Sequence, residues 1–166
     1  MTLAEAAAQA DALADDGKER ELAQLRAQWD DELEGAVRSS DYRERVVGYR
    51  AIGQFRFRQK IDLLRRGLED ESPACRGSAL LSLELLSRDH PGAVNPERSR
   101  LHALVADVEE NAAVRRLALL CLKNTSPQRD TIVLLQGLAE DDRADRELRG
   151  AAKRAGEALT KKSRLR

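Results

Sequence analysis

Two histidines, two cysteines and three doubled carboxylates are the side chains of this 166-residue sequence that most invite a chemical reading. His90 stands in His90-Pro91-Gly92 and His102 among apolar positions, a spacing that supplies neither a zinc ligand set nor a histidine-based acid/base pair. Both read as structural or solvated. Cys75 and Cys121 form no CxxC pair and read as small core residues of a reducing compartment. The carboxylates Asp30-Asp31, Glu109-Glu110 and Asp141-Asp142 have the composition of acid/base pairs, but helix starts attract negative charge, so capping is the expectation at each joint. GxSxG, P-loop and GxGxxG patterns do not occur. The expectation is no catalytic residue, no metal and no cofactor.

Charge offers a second route to function. Basic and acidic residues number 29 each, so no global field drives the chain toward nucleic acid or an anionic membrane. They are unevenly placed: residues 1–36 carry 3 basic and 10 acidic groups, residues 37–68 carry 9 and 3, and residues 143–166 again carry 9 and 3. Arg43, Arg50, Arg56, Arg58 and Lys60 lie near Tyr49, Phe55 and Phe57, a combination able to hold phosphates while stacking on bases. The competing expectation is a solvated or intramolecular face, paired with the acidic N-terminal helix.

The elements that must position these groups are helices. Charged residues make up 35% and aromatics 3%, a balance that favours surface-exposed helices over strands. Thr2 and Glu5 form a capping box, and Gly17 ends that first segment. Leu22, Leu25, Trp29 and Leu33 then fall on one helical stripe, as do Ile61, Leu64 and Leu68; Leu101, Leu104, Val105 and Val108; and Ile132, Leu135 and Leu138. Ser39, Ser40 or Asp41 caps one helix, and Pro73 occupies the first turn of another. About nine helices result: an Ala-rich one over 1–17, four pairs forming a domain over 18–160, and a basic tail over 161–166. The longest strongly apolar run, Leu117 to Leu122, is too short to cross a bilayer, and Met1 to Ala14 lacks the features of a secretory signal. A cytoplasmic protein without membrane association is expected, and 23 arginines against 6 lysines hint at a GC-rich, bacterial genome.

The second helices of the four pairs share a register. Arg45, Arg76, Arg115 and Arg149 are each followed three residues later by Gly48, Ala79, Ala118 or Ala152, and each follows an acidic joint. Ten residues after the arginine stand Phe55, Leu86, Thr125 and Leu159. This pattern, clearest in Leu68 to Ala79 and Val105 to Ala118, resembles the HEAT repeat, particularly the short bacterial kind of the phycobilisome-lyase type. The resemblance covers Lys18 to about Thr160 and implies an α-solenoid of about four helix pairs after an N-terminal helix. It further implies that the four arginines form a hydrogen-bonded ladder with the joint acids, while the small residues let paired helices approach closely. Some HEAT-like proteins attach or detach bilins, so a chromophore-lyase-like subunit stays open as an exception to a non-enzymatic role.

Positions three, seven and ten after the arginine share one helix face at about 100° per residue, whereas position five points nearly opposite. Position five holds Arg50, Leu81, Leu120 and Arg154, and position eight holds Gly53, Glu84, Lys123 and Glu157, so basic residues do not repeat as a stripe along the solenoid. Leu81 and Leu120, with Leu85 and flanked by Arg50 and Arg154, are apolar on the outward side and form a candidate surface for a protein or peptide partner. Burial of central helices on all sides, or coverage by Leu3, Ala7, Ala10 and Leu13 of the first helix, is the alternative. The reading is a non-enzymatic scaffold or adaptor, with a nucleic-acid or phosphate-binding module as the second possibility. Oligomeric state is open.

Overall fold

Thr2 opens the first helix as its residues require: its hydroxyl accepts from Glu5 N–H at 3.2 Å while the Glu5 carboxylate accepts from Thr2 N–H at 2.9 Å. This helix, α1 (Leu3–Asp15), ends because Gly17 adopts φ +70°, and the N–H groups of Gly17 and Lys18 then close on Ala14 and Leu13. The computed structural model describes residues 1–165; Arg166, at the end of the expected tail, lies outside them. Among the described residues the chain is all-helical: after α1 come α2 (Glu19–Val37), α3 (Tyr42–Gln54), α4 (Ile61–Leu68), α5 (Pro73–Ser87), α6 (Arg98–Ala106), α7 (Ala112–Lys123), α8 (Arg129–Ala139) and α9 (Arg146–Arg164). No strand occurs among these residues, and no helix is long and apolar enough to cross a membrane.

The chain divides into two compact units, Met1–Leu86 and Ser87–Arg166. In the first, Ala6, Ala7 and Ala10 bury α1 against α2 and α3, and Leu22, Leu25, Trp29 and Leu33 bury α2 along the expected stripe. Glycine sets how closely these helices pass. A Cβ on Gly48 would stand 2.8 Å from the backbone nitrogen of Val37, and one on Gly67 would stand 2.5 Å from Cβ of Ala79. Helices α2 with α3, and α4 with α5, thus approach at the small residues of the register.

In the second unit, α6 packs on α7, α7 on α9, and α8 on α9. The stripe expected through Val108 stops earlier, because α6 ends at Ala106 and Val108 lies in the joint, 75% exposed. The joint acids also differ from their expected role. Asn111, not Glu109-Glu110, caps α7 by accepting from Ala113 and Val114, and Asp145, not Asp141-Asp142, caps α9 by accepting from Leu148. A side-chain oxygen caps only from the residue at the helix boundary, and the doubled acids stand outside it. Asp141 instead accepts from Arg143 N–H inside its turn. Helix α9 runs through Lys161 and Lys162 to Arg164, where positive charge meets the negative end of the helix dipole.

Candidate interaction surface

Each second helix keeps the register read from its arginine. At positions three, seven and ten, Gly48, Ile52, Phe55, Ala79, Leu83, Leu86, Ala118, Leu122, Thr125, Ala152, Gly156 and Leu159 are all buried. Thr125, the polar member, satisfies its hydroxyl by donating to Leu122 O at 2.6 Å. Position five faces outward in three of the four repeats: Leu81 is 40% exposed in the first unit, Leu120 is 41% exposed in the second, and Arg154 is exposed as well. Leu85 and Arg50 are half-buried. Coverage by α1 does not occur at Leu81, since α1 spends its alanine face on α2 and α3.

The first arginine of the ladder makes a full rung. Arg45 donates Nε and Nη2 to the two carboxylate oxygens of Asp70, at 2.8 and 3.1 Å, and Nη1 to the carbonyls of Ser39 and Ser40. Burial works to raise the Asp70 pKa, but the Arg45 guanidinium and the Ser72 N–H outweigh it and hold the carboxyl below its ordinary value. Arg76 donates to the Asp70 carbonyl at 2.7 Å, which ties the same joint to its own helix. Further along, Arg115 spends Nε and Nη2 on the carbonyl of Val105, and Arg149 stands 3.8 Å from Asp142.

The five basic residues with phosphate-binding character are not brought together as one surface. Arg56 pairs with Asp11 at 2.8 Å and Asp15 at 3.2 Å on α1, and also donates to the carbonyls of Gly53 and Gln54. Its φ of 54° places it where glycine usually ends a helix, and the N–H groups of Arg56 and Phe57 close back on Gly53 and Ile52. Lys60 bridges Asp30 and Glu34 of α2 and lies 4.9 Å from the centre of the Phe57 ring. Burial opposes the charge on Lys60, but the two carboxylates more than offset it, and the pKa stands above the ordinary lysine value. Arg43 pairs with Asp41, the cap of its own helix, and Arg58 is exposed. Tyr49, Phe55 and Phe57 belong to the core, so none presents a ring face to a base.

Two features of the second unit lay outside the sequence reading. One is a groove of about 820 Å³ between α8 and α9. The other is a polar cluster around Arg98, which is 8% exposed and donates to Thr125, Thr131, Asn95 and the carbonyl of Ser126. The hydroxyl of Thr131 also lies 2.9 Å from Nε2 of His102. Burial pulls the His102 pKa below its ordinary value; Asp130 opposes this and Arg98 adds to it. The unfolded chain therefore binds this proton at higher pH than the fold does, so the contribution of neutral His102 is complete above about pH 6.5 and declines as pH falls toward the folded value. Urea midpoints measured at pH 7.5 and pH 5 are expected to fall with acidification, and to fall less in His102→Gln. An equal decline in both proteins would rule the histidine out as the source. Among the described residues, no group of three His, Cys, Asp or Glu is placed to hold a metal ion. Compared with known proteins, the chain matches no family model, no curated protein and no solved structure.

Proposed function

We propose that the chain is a cytoplasmic, non-enzymatic scaffold, a short HEAT-like helical solenoid of the bacterial kind that holds a helical or extended segment of a protein partner. The observation that carries the reading is the contrast within α5 and α7. Both repeats are buried at positions three, seven and ten, yet each leaves a leucine 40–41% exposed at position five. Two large apolar side chains kept in water at the same register position favour a contact made by an external partner. The Arg45–Asp70 rung and the close approaches at Gly48 and Gly67 support the repeat architecture that would present them.

A nucleic-acid role is the weaker reading, because Arg56 and Lys60 are engaged in internal ion pairs and the adjacent aromatic rings are buried. The test is capture from a lysate with Leu81→Asp plus Leu120→Asp beside the parent chain. Since both side chains are already exposed, the double variant should keep its helicity by circular dichroism while losing the captured protein at least tenfold, a change of about 1.4 kcal/mol or more. Retention of the partner would refute a binding role for the two leucines. Loss of helicity would show instead that both leucines are structural. Binding of duplex DNA or RNA that survives moderate salt would favour the other reading.

A further inference from the structure

Within the first unit, the end of α2, the first half of α3 and the end of α4 surround a depression of about 300 Å³. Arg38, Arg45 and Arg66 line it with Asp70 and Glu71, three basic residues against two acidic ones, net +1. Arg45 is spent on Asp70. Glu71 comes no closer to Arg45 than 3.9 Å, with its side chain 92% exposed. Arg38 and Arg66 are exposed and have no hydrogen-bond or ion-pair partner among the described residues.

Two exposed arginines need no ligand, because water solvates them. A buried tyrosine hydroxyl without a partner does need one. Tyr49 lines the same depression and is only 2% exposed. Its ring is fixed against α4: a Cβ on Gly67 would stand 3.0 Å from both Cδ1 and Cε1. Its main-chain carbonyl accepts from Ser82, but its hydroxyl makes no hydrogen bond among the described residues. Buried tyrosines ordinarily find a partner for that group. The charges acting on it include those of the depression: burial and then Asp70 raise the phenol pKa, while Arg66 and Arg45 oppose the rise. The phenol therefore stays protonated at neutral pH and is available as a donor.

We propose that this depression binds a dianionic phosphate group, free or on a monoester, with Arg38 and Arg66 supplying charge and the Tyr49 hydroxyl donating a hydrogen bond. Such a group carries about −1.5 to −2 charges at neutral pH and presents three terminal oxygens, against the two of a phosphodiester or a carboxylate. Three donor groups suit three oxygens, and guanidinium forks engage such oxygens in pairs. Arg45 keeps Asp70 neutralised and out of the way. The site is separate from the basic residues singled out by the sequence, since none of Arg43, Arg50, Arg56, Arg58 and Lys60 lines it. It is independent of the leucine surface as well, and Leu81→Asp plus Leu120→Asp leaves it intact.

NMR titration of the ¹⁵N-labelled chain at constant ionic strength is the measurement, with inorganic phosphate and N-acetyl-O-phosphoserine amide as probes. Saturable shifts are expected in the amides of Arg38, Ser39 and Glu71, with a dissociation constant below about 1 mM for the better probe. Arg38→Gln with Arg66→Gln should weaken binding by about tenfold or more, and Tyr49→Phe by about threefold to tenfold, with helicity retained by circular dichroism. Lys18→Gln with Arg20→Gln removes the same charge at the other end of α2, roughly 25 Å away, and should bind like the parent. Tighter binding of the phosphoserine amide assigns the site to a phosphorylated side chain, and tighter binding of inorganic phosphate assigns it to the free ion. Absence of saturable shifts up to about 10 mM of either probe overturns the proposal. So does an equal loss in the Lys18 and Arg20 control, or a folded Tyr49→Phe that binds like the parent. N-acetylserine amide or a single-stranded oligonucleotide binding as tightly as the phosphate probes overturns it too. Should Tyr49→Phe lose helicity, the exposed arginine pair and its control decide.

Discussion

Valine at position 53 is expected to lower the unfolding free energy by about 3 kcal/mol, the upper part of the range for forced overpacking. The reason lies in how α3 meets α5. A Cβ on Gly53 would stand 2.6 Å from Oγ, 2.7 Å from Cα and 2.9 Å from Cβ of Ser82, so backbone as well as side chain must move. That same hydroxyl accepts from Gly53 N–H at 2.9 Å and donates to Tyr49 O at 2.6 Å, sitting across a rung of the α3 hydrogen-bond ladder. Separating the helices therefore strands buried polar groups as well as opening the contact. Urea unfolding followed by circular dichroism and by the single, buried Trp29 reads the change. Gly137→Ala in α8 is the control: a Cβ there meets nothing within 4 Å, and the substitution should stabilise by up to about 1 kcal/mol. A tolerated Gly53→Val would mean that the α3–α5 approach is not fixed by this glycine.

Arg98→Met should cost the protein a comparable amount, about 3 kcal/mol. Its guanidinium donates to Thr125 Oγ1 at 3.3 Å, Thr131 Oγ1 at 2.9 Å, Asn95 Oδ1 at 3.2 Å and Ser126 O at 2.8 Å, all neutral acceptors. Burial lowers the Arg98 pKa, and Asp130 opposes that shift. Methionine fills much of the same space but leaves several acceptors without a donor, and the turn from Asn124 to Gln128 loses its tie to the start of α6. Hydrogen exchange should quicken across that turn. Because Arg98 also depresses the His102 pKa, its removal should raise the histidine titration observed by NMR. Unchanged exchange in the turn would show that the Asn95–Ser126 bonds hold it unaided.

Much of the fold was legible in the residue order because it depends on neighbours within a turn or two. The Thr2–Glu5 box, the break at Gly17 and the start at Pro73 are local events of backbone geometry and hydrogen bonding. Burial at positions three, seven and ten followed from helical periodicity once Arg45, Arg76, Arg115 and Arg149 gave the register. The same arithmetic set Leu81 and Leu120 opposite the core positions, but burial or coverage of that face stayed open until the tertiary structure left both leucines exposed. Arg56 gave no such signal: it occupies a left-handed position without being glycine, and its guanidinium meets Asp11 and Asp15, 45 and 41 residues earlier in the chain, as well as the carbonyls of Gly53 and Gln54.

The same distinction runs through the candidate sites. Residue order set which positions are basic, apolar or small, because those are properties of the side chain and its place on one helix. Whether a charge is free depends on groups far away in sequence. Asp11, Asp30 and Glu34 engage Arg56 and Lys60, Thr125 and Thr131 enclose Arg98, and none of these pairings has a local pattern. The α8–α9 groove is likewise invisible along the chain, since a concave surface exists only once two helices have packed and their small residues leave space between them.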